Sequence, residues 1–341
     1  MTPRPSIPEL AYRWWLRRRR ARFGQPRGEG IAVVSVGNLS LGGTGKTPCV
    51  RWLAQRALQA GLSPAIVSRG YGGSGSAAGL VVSDGWQVLA SAQQAGDEPI
   101  EHARSLPGVP VVIGRDRHAA ARQAREMGAN LVILDDGFGF WSLRRECDIV
   151  LLDARAPFGN GRLLPRGRLR EEPQALGRAH AILLTRADLG SPEQLEASRR
   201  EVGLYSSVPL WTSRHAPRGV FDEQEQHLEP LQVLEGARVL ALSALANNTL
   251  FARSLEQGGA RIVQRVEKGD HHAWSRAEIE RAAELALRCG ARAIVTSGKD
   301  AAKIDPAWVQ GIALWSLRIE LEVERGEELW HLVRSRLNFQ E

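Results

Sequence analysis

The sequence predicts an α/β fold: a P-loop NTPase-like, doubly wound, mostly parallel sheet, with a second, smaller α/β domain and a basic amphipathic N-terminal helix. Three observations carry that expectation. Short β-branched apolar runs alternate with helical stretches, the pattern of strand–helix–strand crossovers. Chemistry-bearing residues cluster just after those runs, at the strand C-termini where doubly wound sheets hold ligands. One such loop is rich in glycine and passes through Lys46-Thr47 into a helical stretch.

The 341 residues are 43% hydrophobic and 24% charged, enough for about two domains with ordinary cores. Whole-chain disorder, collagen and coiled coil are excluded on that composition. No uncharged apolar run reaches the roughly 18 residues of a membrane-spanning helix. Cys49, Cys147 and Cys289 are too widely spaced for a disulfide framework or a metal cluster, and read as buried thiols in a reducing cytosol. The net charge is +7, yet the first 30 residues hold eight arginines against Glu9 and Glu29, so six of the seven charges are local to them. A nucleic-acid binder would spread its charge over the fold, so nucleic acid is not an expected partner.

In chain order, Pro8 to Phe23 reads as a short helix, with Leu10, Trp14, Trp15 and Leu16 leading into Arg17–Arg20 and Arg22. Tryptophan favours the headgroup level of a bilayer and arginine is drawn to anionic lipid. The segment is either a membrane-surface foot or lip for an anionic amphiphile, or a solvated arm whose tryptophans pack on the body. It has no signal-peptide h-region or cleavage site. Ile31–Val36 is a buried parallel strand, and Gly37–Pro48 follows it. Backbone N–H groups of Gly42, Gly43, Thr44 and Gly45 turn inward on phosphates, Lys46 reaches the β- and γ-phosphates, and Thr47 meets Mg²⁺. The common spacing would put glycine at position 40, where this chain has Ser40.

Further strands end in chemistry. Pro64–Ser68 runs into Arg69-Gly-Tyr-Gly-Gly73, and Gly96-Asp-Glu-Pro99 stands ahead of a helical stretch, either as a helix cap or as a base or metal carboxylate. Leu131–Leu134 ends in Asp135-Asp136, the presentation of a Walker B aspartate to Mg²⁺. Asp148–Asp153 leads into a long loop, 158–173, with four arginines, longer than a bare connection needs. Ala181–Thr185 ends in Thr185-Arg-Ala-Asp188, loosely similar to a GTPase base-recognition motif. Residues 216–236 read as a linker, between a core domain of 29–215 and a smaller domain of 237–341, with 1–28 as the membrane-surface segment. In the smaller domain, strands at 238–242, 261–266 and 293–296 flank a helix from Arg276 to Cys289 capped by Ser275. Asp270-His271-His272 lacks partners for zinc and reads as an oriented histidine or a polar turn.

These motifs together resemble the tetraacyldisaccharide 4′-kinases, the lipid A 4′-kinases. The likeness is carried by Ser35-Val-Gly-Asn-Leu39, Gly42-Gly-Thr-Gly-Lys-Thr-Pro48, Ser68-Arg-Gly-Tyr-Gly-Gly73 and Gly96-Asp-Glu-Pro99. Asp135-Asp-Gly-Phe138, Gly159-Asn-Gly-Arg-Leu-Leu-Pro165, Leu169-Arg-Glu171 and Asp270-His271 complete it. The resemblance implies an ATP- and Mg²⁺-dependent kinase, peripheral on the cytoplasmic face of the bacterial inner membrane and expected as a monomer. Its substrate is the 4′-hydroxyl of a tetraacyl-disaccharide 1-phosphate. It implies Lys46 and Thr47 on phosphate and metal, Asp97 as base working with His271, and Asp135, Asp136 and Glu171 on the metal. Four departures stand out: Gly139-Phe140 where the family has Gln-His, Ser297-Gly-Lys-Asp300 for Thr-Glu-Lys-Asp, an altered turn at Ala244–Thr249, and a short foot in place of a membrane helix. The competing readings are a membrane-tethered P-loop switch or chaperone NTPase and, because of Gly139-Phe140, an inactive relic.

Overall fold

The computed structural model describes residues 6–270 and 272–337. They fall into two compact units, Met1–Arg214 with Leu321–Glu341, and His215–Glu320.

The first unit opens with helix α1 (Ile7–Arg22), started by a Ser6–Glu9 capping box, with arginines in its last turn where the helix dipole favours cations. Then come β1 (Ala32–Asn38), α2 (Lys46–Gln59), β2 (Pro64–Ser68), β3 (Leu80–Ser83), α3 (Ala92–Ala95) and α4 (Asp97–Ser105). They are followed by β4 (Val111–Ile113), α5 (Arg117–Glu126), β5 (Leu131–Asp135), β6 (Cys147–Asp153), β7 (Ala181–Thr185), α6 (Pro192–Gly203) and the start of β8 (Leu210–Asp222). The sheet order is β3-β4-β2-β5-β1-β6-β7-β8. Every pairing is parallel except β3 with β4. β1 is therefore the switch point: the chain winds out to one side through β2 and returns through β5, then crosses to β6 on the other. Ligands bind at the C-terminal ends of strands at such a point.

The strands read from the sequence, β1, β2, β5, β6 and β7, are buried almost throughout. All five residues of β5, Leu-Val-Ile-Leu-Asp, are buried, as a covered parallel strand requires. Val33, Val67, Val132 and Leu134 pack beneath Ala120, Ala121 and Ala124 of α5. Leu39, Phe138, Val150, Leu152, Ile182 and Leu184 form the core on the P-loop side.

The second unit holds the end of β8, β9 (His227–Pro230), β10 (Arg238–Ser243), α7 (Asn248–Gln257), β11 (Arg261–Glu267), α8 (Arg276–Arg288), β12 (Ala293–Ser297), α9 (Gly298–Ala301) and most of β13 (Ala313–Val323). Its parallel order is β11-β10-β12-β13, with β9 antiparallel to β8. Ser275 caps α8 by accepting from the Glu278 N–H, as its position predicted.

The structure departs from two expected boundaries. Residues 216–236 carry the end of β8, β9 and a 3₁₀ turn, not a linker. Their polar composition conceals strands because only one face is buried. Val220 and Leu234 are fully buried, and Asp222 Oδ2 accepts from Trp315 Nε1 at 2.9 Å. The chain after Glu320 also leaves the smaller unit. There α10 (Gly326–Arg336) buries Leu329, Trp330 and Val333, and Arg56 donates to Glu327 at 2.5 Å.

The cysteines are all free, but only Cys49 and Cys147 are buried; Cys289 is half-buried at the end of α8. Burial, reinforced by the negative charge of Asp148, pushes the Cys147 thiol up to about 12. Burial and Asp135 raise Cys49 further still. Thiolate is the reactive form, so a disulfide reagent at pH 8 is expected to modify at most Cys289 in the folded protein and all three thiols in guanidinium. Rapid modification of two or more in the native state would contradict this packing.

Candidate active site

The phosphate loop begins where β1 leaves the sheet at Asn38. The Asn38 amide donates to Thr44 Oγ1 at 2.9 Å and to Gly42 O at 3.4 Å, closing the loop on itself. Gly45 adopts φ +87° immediately before α2, a left-handed conformation that glycine takes at little cost. Lys46 and Thr47 then form the first turn of α2. Ser40 needs no glycine because it bridges Leu169 in extended pairing. Beside it, Leu41 N–H donates to Arg168 O at 2.7 Å and Arg170 N–H to Leu39 O at 2.6 Å. The long loop of 158–173 thus lies along the phosphate loop.

That loop delivers Arg170 to the mouth of the site. Its guanidinium grips Asp136 with two hydrogen bonds of 2.9 and 2.8 Å and also donates to Asn38 Oδ1. Lys46 Nζ stands 3.8 Å from the same Asp136 carboxylate. Burial alone would raise the Asp136 pKa, but Arg170, Lys46 and Arg117 outweigh it and hold the carboxyl at about 2. Asp136 is thus an anion across any working pH. The stability its ion pairs add is complete above the ordinary value of 3.8 and is lost as pH falls through about 2.

Asp135 is differently placed. It is 2% exposed; Oδ2 lies 3.4 Å from His102 Nε2, and Oδ1 is buried without a partner. Glu171 accepts from Arg178 at 2.8 Å, and the Arg178 guanidinium lies 4.5 Å over the Phe138 ring. Asp97 opens α4, after Gly96 at φ +88°, where an added Cβ would come within 2.5 Å of Tyr71 O. His271 lies outside the described residues. In the second unit its neighbour Asp270 accepts from Lys299 at 2.9 Å. Asp300 ties the Ala244 turn down by accepting from Ala244 N–H and Trp274 Nε1, so the Lys-Asp element of that segment anchors the fold.

Among the described residues, no three His, Cys, Asp or Glu side chains converge as a metal cage. Magnesium does not require one: it keeps several waters and takes one or two carboxylates plus nucleotide phosphates. The unpartnered Asp135 Oδ1 fits that donor set, with Thr47 the next residue after Lys46 in the first turn of α2, while Asp136 and Glu171 are held by arginines. An added Cβ at Gly139 would sit 3.9 Å from Glu171 Oε1, so the glutamine of the family pattern is missing from beside Glu171. Phe140 stands where the family pattern has histidine, 5.0 Å from the Arg117 guanidinium and 6.0 Å from the His118 ring at a tilt.

Arg117 escaped the reading of the sequence. It is 6% exposed; its Nε has no partner and its Nη1 reaches only Arg115 O, at 3.3 Å. Burial, then Arg69, pulls its pKa down to about 10 despite Asp136 and Asp135. The available signal was its position, four residues beyond the end of β4 at a helix start. Arg186 was passed over in the same way. It pairs with Asp153 at 2.7 Å and donates to Gly43 O at 2.6 Å, while Thr185 Oγ1 donates to Thr44 O at 2.9 Å.

Comparison with known proteins agrees with this geometry. The family model for tetraacyldisaccharide-1-phosphate 4′-kinase matches residues 7–338. The tetraacyldisaccharide 4′-kinase of Anaeromyxobacter dehalogenans strain 2CP-C is 43% identical over 303 residues, covering 88% of this chain and 80% of its own. That of Syntrophus aciditrophicus is 40% identical over 309 residues, covering 88% and 83%. The solved LpxK from Aquifex aeolicus, described as an apo form in complex with ATP, superposes with a TM-score of 0.77 at 26% identity, covering 96% of this chain and 97% of that one. The chain belongs to the tetraacyldisaccharide-1-phosphate 4′-kinase family.

Proposed function

We propose that the protein transfers the γ-phosphoryl group of ATP to the 4′-hydroxyl of a tetraacyl-disaccharide 1-phosphate, the kinase step of lipid A biosynthesis. The observation that carries this reading is the Lys46–Asp136–Arg170 cluster at the ends of β1 and β5, on the phosphate loop. Phosphoryl transfer passes through a loose transition state with charge spread over the phosphoryl oxygens, so positioned cations do most of the work. Lys46 and Arg170 supply two, and Asp136 holds both in place before the nucleotide arrives. Asp97 accepts the proton of the 4′-hydroxyl as its oxygen bonds to phosphorus and the bond to the ADP oxygen breaks. Thr47 and Asp135, with Asp136 and Glu171 beside them, would hold magnesium, which would supply positive charge to the transferring phosphoryl group. The switch and relic readings gain no support from the cluster, which keeps Lys46 and Arg170 on Asp136.

Incubation with ATP, magnesium and a lipid A disaccharide precursor, read by mass spectrometry, tests the reading. A product one phosphate heavier is expected; ATP hydrolysis without transfer would overturn it.

No helix among the described residues is long and apolar enough to cross a membrane. What supports a peripheral foot is α1. Ile7, Leu10, Trp14 and Trp15 are exposed, and Arg18 lies 4.8 Å over the Trp14 ring. Basic residues near an anionic surface contribute about 1 kcal/mol each. Deleting residues 1–23 is therefore expected to abolish most binding to phosphatidylglycerol vesicles, and salt to weaken it in the intact chain. Equal sedimentation of both proteins at low and high salt would contradict this role.

A further inference from the structure

We propose that His102 is a positioning residue of the phosphoryl transfer: from the inward face of α4 it fixes the Asp135 carboxylate so that one oxygen stays open to magnesium. The proposal rests on the reading of Asp135 as a magnesium ligand and adds the group that orients it.

The geometry is that of a buried pair with one end left bare. Asp135 closes β5, where it registers with Val36 of β1. His102 is fully buried, on the face of α4 that also buries Pro99, Ile100 and Ala103. Its Nε2 lies 3.4 Å from Asp135 Oδ2, while Asp135 Oδ1 and His102 Nδ1 are buried without partners. Buried polar atoms are nearly always satisfied, and one that is not calls for an ion, a water or a functional cause. A carboxylate is the costlier of the two to leave bare, because a buried charge needs a cation or several donors. The charge of Asp135 is felt by Cys49, just after Thr47 on α2, and by Arg117. The carboxylate therefore stands beside the start of α2, where the phosphate loop delivers Thr47.

The chemistry explains why a histidine serves there. The terminal torsion of an aspartate is broad and roughly two-fold, so an unheld carboxylate swings. An Nε2–H donating to Oδ2 pins that torsion and leaves the lone pairs of Oδ1 free. At 3.4 Å the bond is long, so what it supplies is orientation more than strength. Partners that hydrogen-bond a metal ligand from behind set its direction, and losing one typically costs about 10- to 100-fold in metal affinity. His102 also shares α4 with Asp97, the proposed base, so one short helix would set both the base and the metal carboxylate.

The test is binding of Mn²⁺ to the full chain saturated with a non-hydrolysable ATP analogue, read from the electron paramagnetic resonance of the ion. Binding of the analogue alone, with chelator present, is measured beside it. His102→Leu is expected to weaken Mn²⁺ binding by about 10- to 100-fold while metal-free binding of the analogue stays within a few-fold. His102→Gln, whose amide nitrogen can stand in for Nε2, is expected to restore most of the loss. Asp135→Asn is expected to weaken Mn²⁺ binding at least as much as His102→Leu. Wild-type Mn²⁺ affinity in His102→Leu would overturn the role of His102. If Asp135→Asn also bound Mn²⁺ as the wild type does, the assignment of Asp135 to the metal would fall with it. An equal loss of metal-free analogue binding in His102→Leu would show general loosening of the site and would likewise overturn the proposal.

Discussion

Replacing Lys46 with alanine is expected to lower turnover by about 10²–10³, the scale seen when one positioned electrostatic donor is removed. The side chain is largely buried, 17% exposed, and lies 3.8 Å from Asp136. Its ammonium is therefore held in a site of lowered dielectric, where a charge stabilises a developing charge more than in water. Removal also leaves Asp136 with Arg170 as its remaining cation in the cluster, so nucleotide affinity should fall as well. Steady-state kinetics under saturating ATP isolate the loss in turnover. A Lys46→Ala protein with near-normal kcat would remove the phosphate loop from the mechanism.

Asp97→Asn is expected to lower kcat by about 10²–10⁴, the range for loss of a positioned acid–base group, while ATP affinity stays within a few-fold. The substitution keeps size and hydrogen-bonding atoms, so α4 should still start after Gly96. Kinetics with separate determination of kcat and nucleotide binding check the split. Unchanged kcat would leave the base elsewhere, and a matched loss of ATP affinity would place Asp97 on the nucleotide instead.

Much of the first unit was legible because its signals are local. Leu131–Leu134 followed by Asp135-Asp136 announces a buried strand with an acidic end, and the structure buries that strand throughout. Gly45-Lys46-Thr47 announces a loop entering a helix, and in the second unit Ser275 announces a cap. Each depends on a few consecutive residues and on the period of a strand or helix.

The pairings within the site were not legible in the same way. Arg170 meets Asp136 across 34 positions, and nothing in either residue's neighbourhood names the other. Arg117 reads as one more arginine until the fold buries it against Phe140. The polar stretch after 215 reads as a connection because one of its faces meets water; pairing with β9 and β13 makes it a strand. By itself the sequence determined the strands β1, β2, β5, β6 and β7, the glycine loop and the acidic strand ends, since backbone conformation and burial period are written over short windows. Only the tertiary structure decided which charges neutralise one another, that Ser40 can stand where glycine is usual, and that the last helix returns to the first unit. Those outcomes depend on contacts between residues far apart in the chain, which closure of the sheet around β1 brings together.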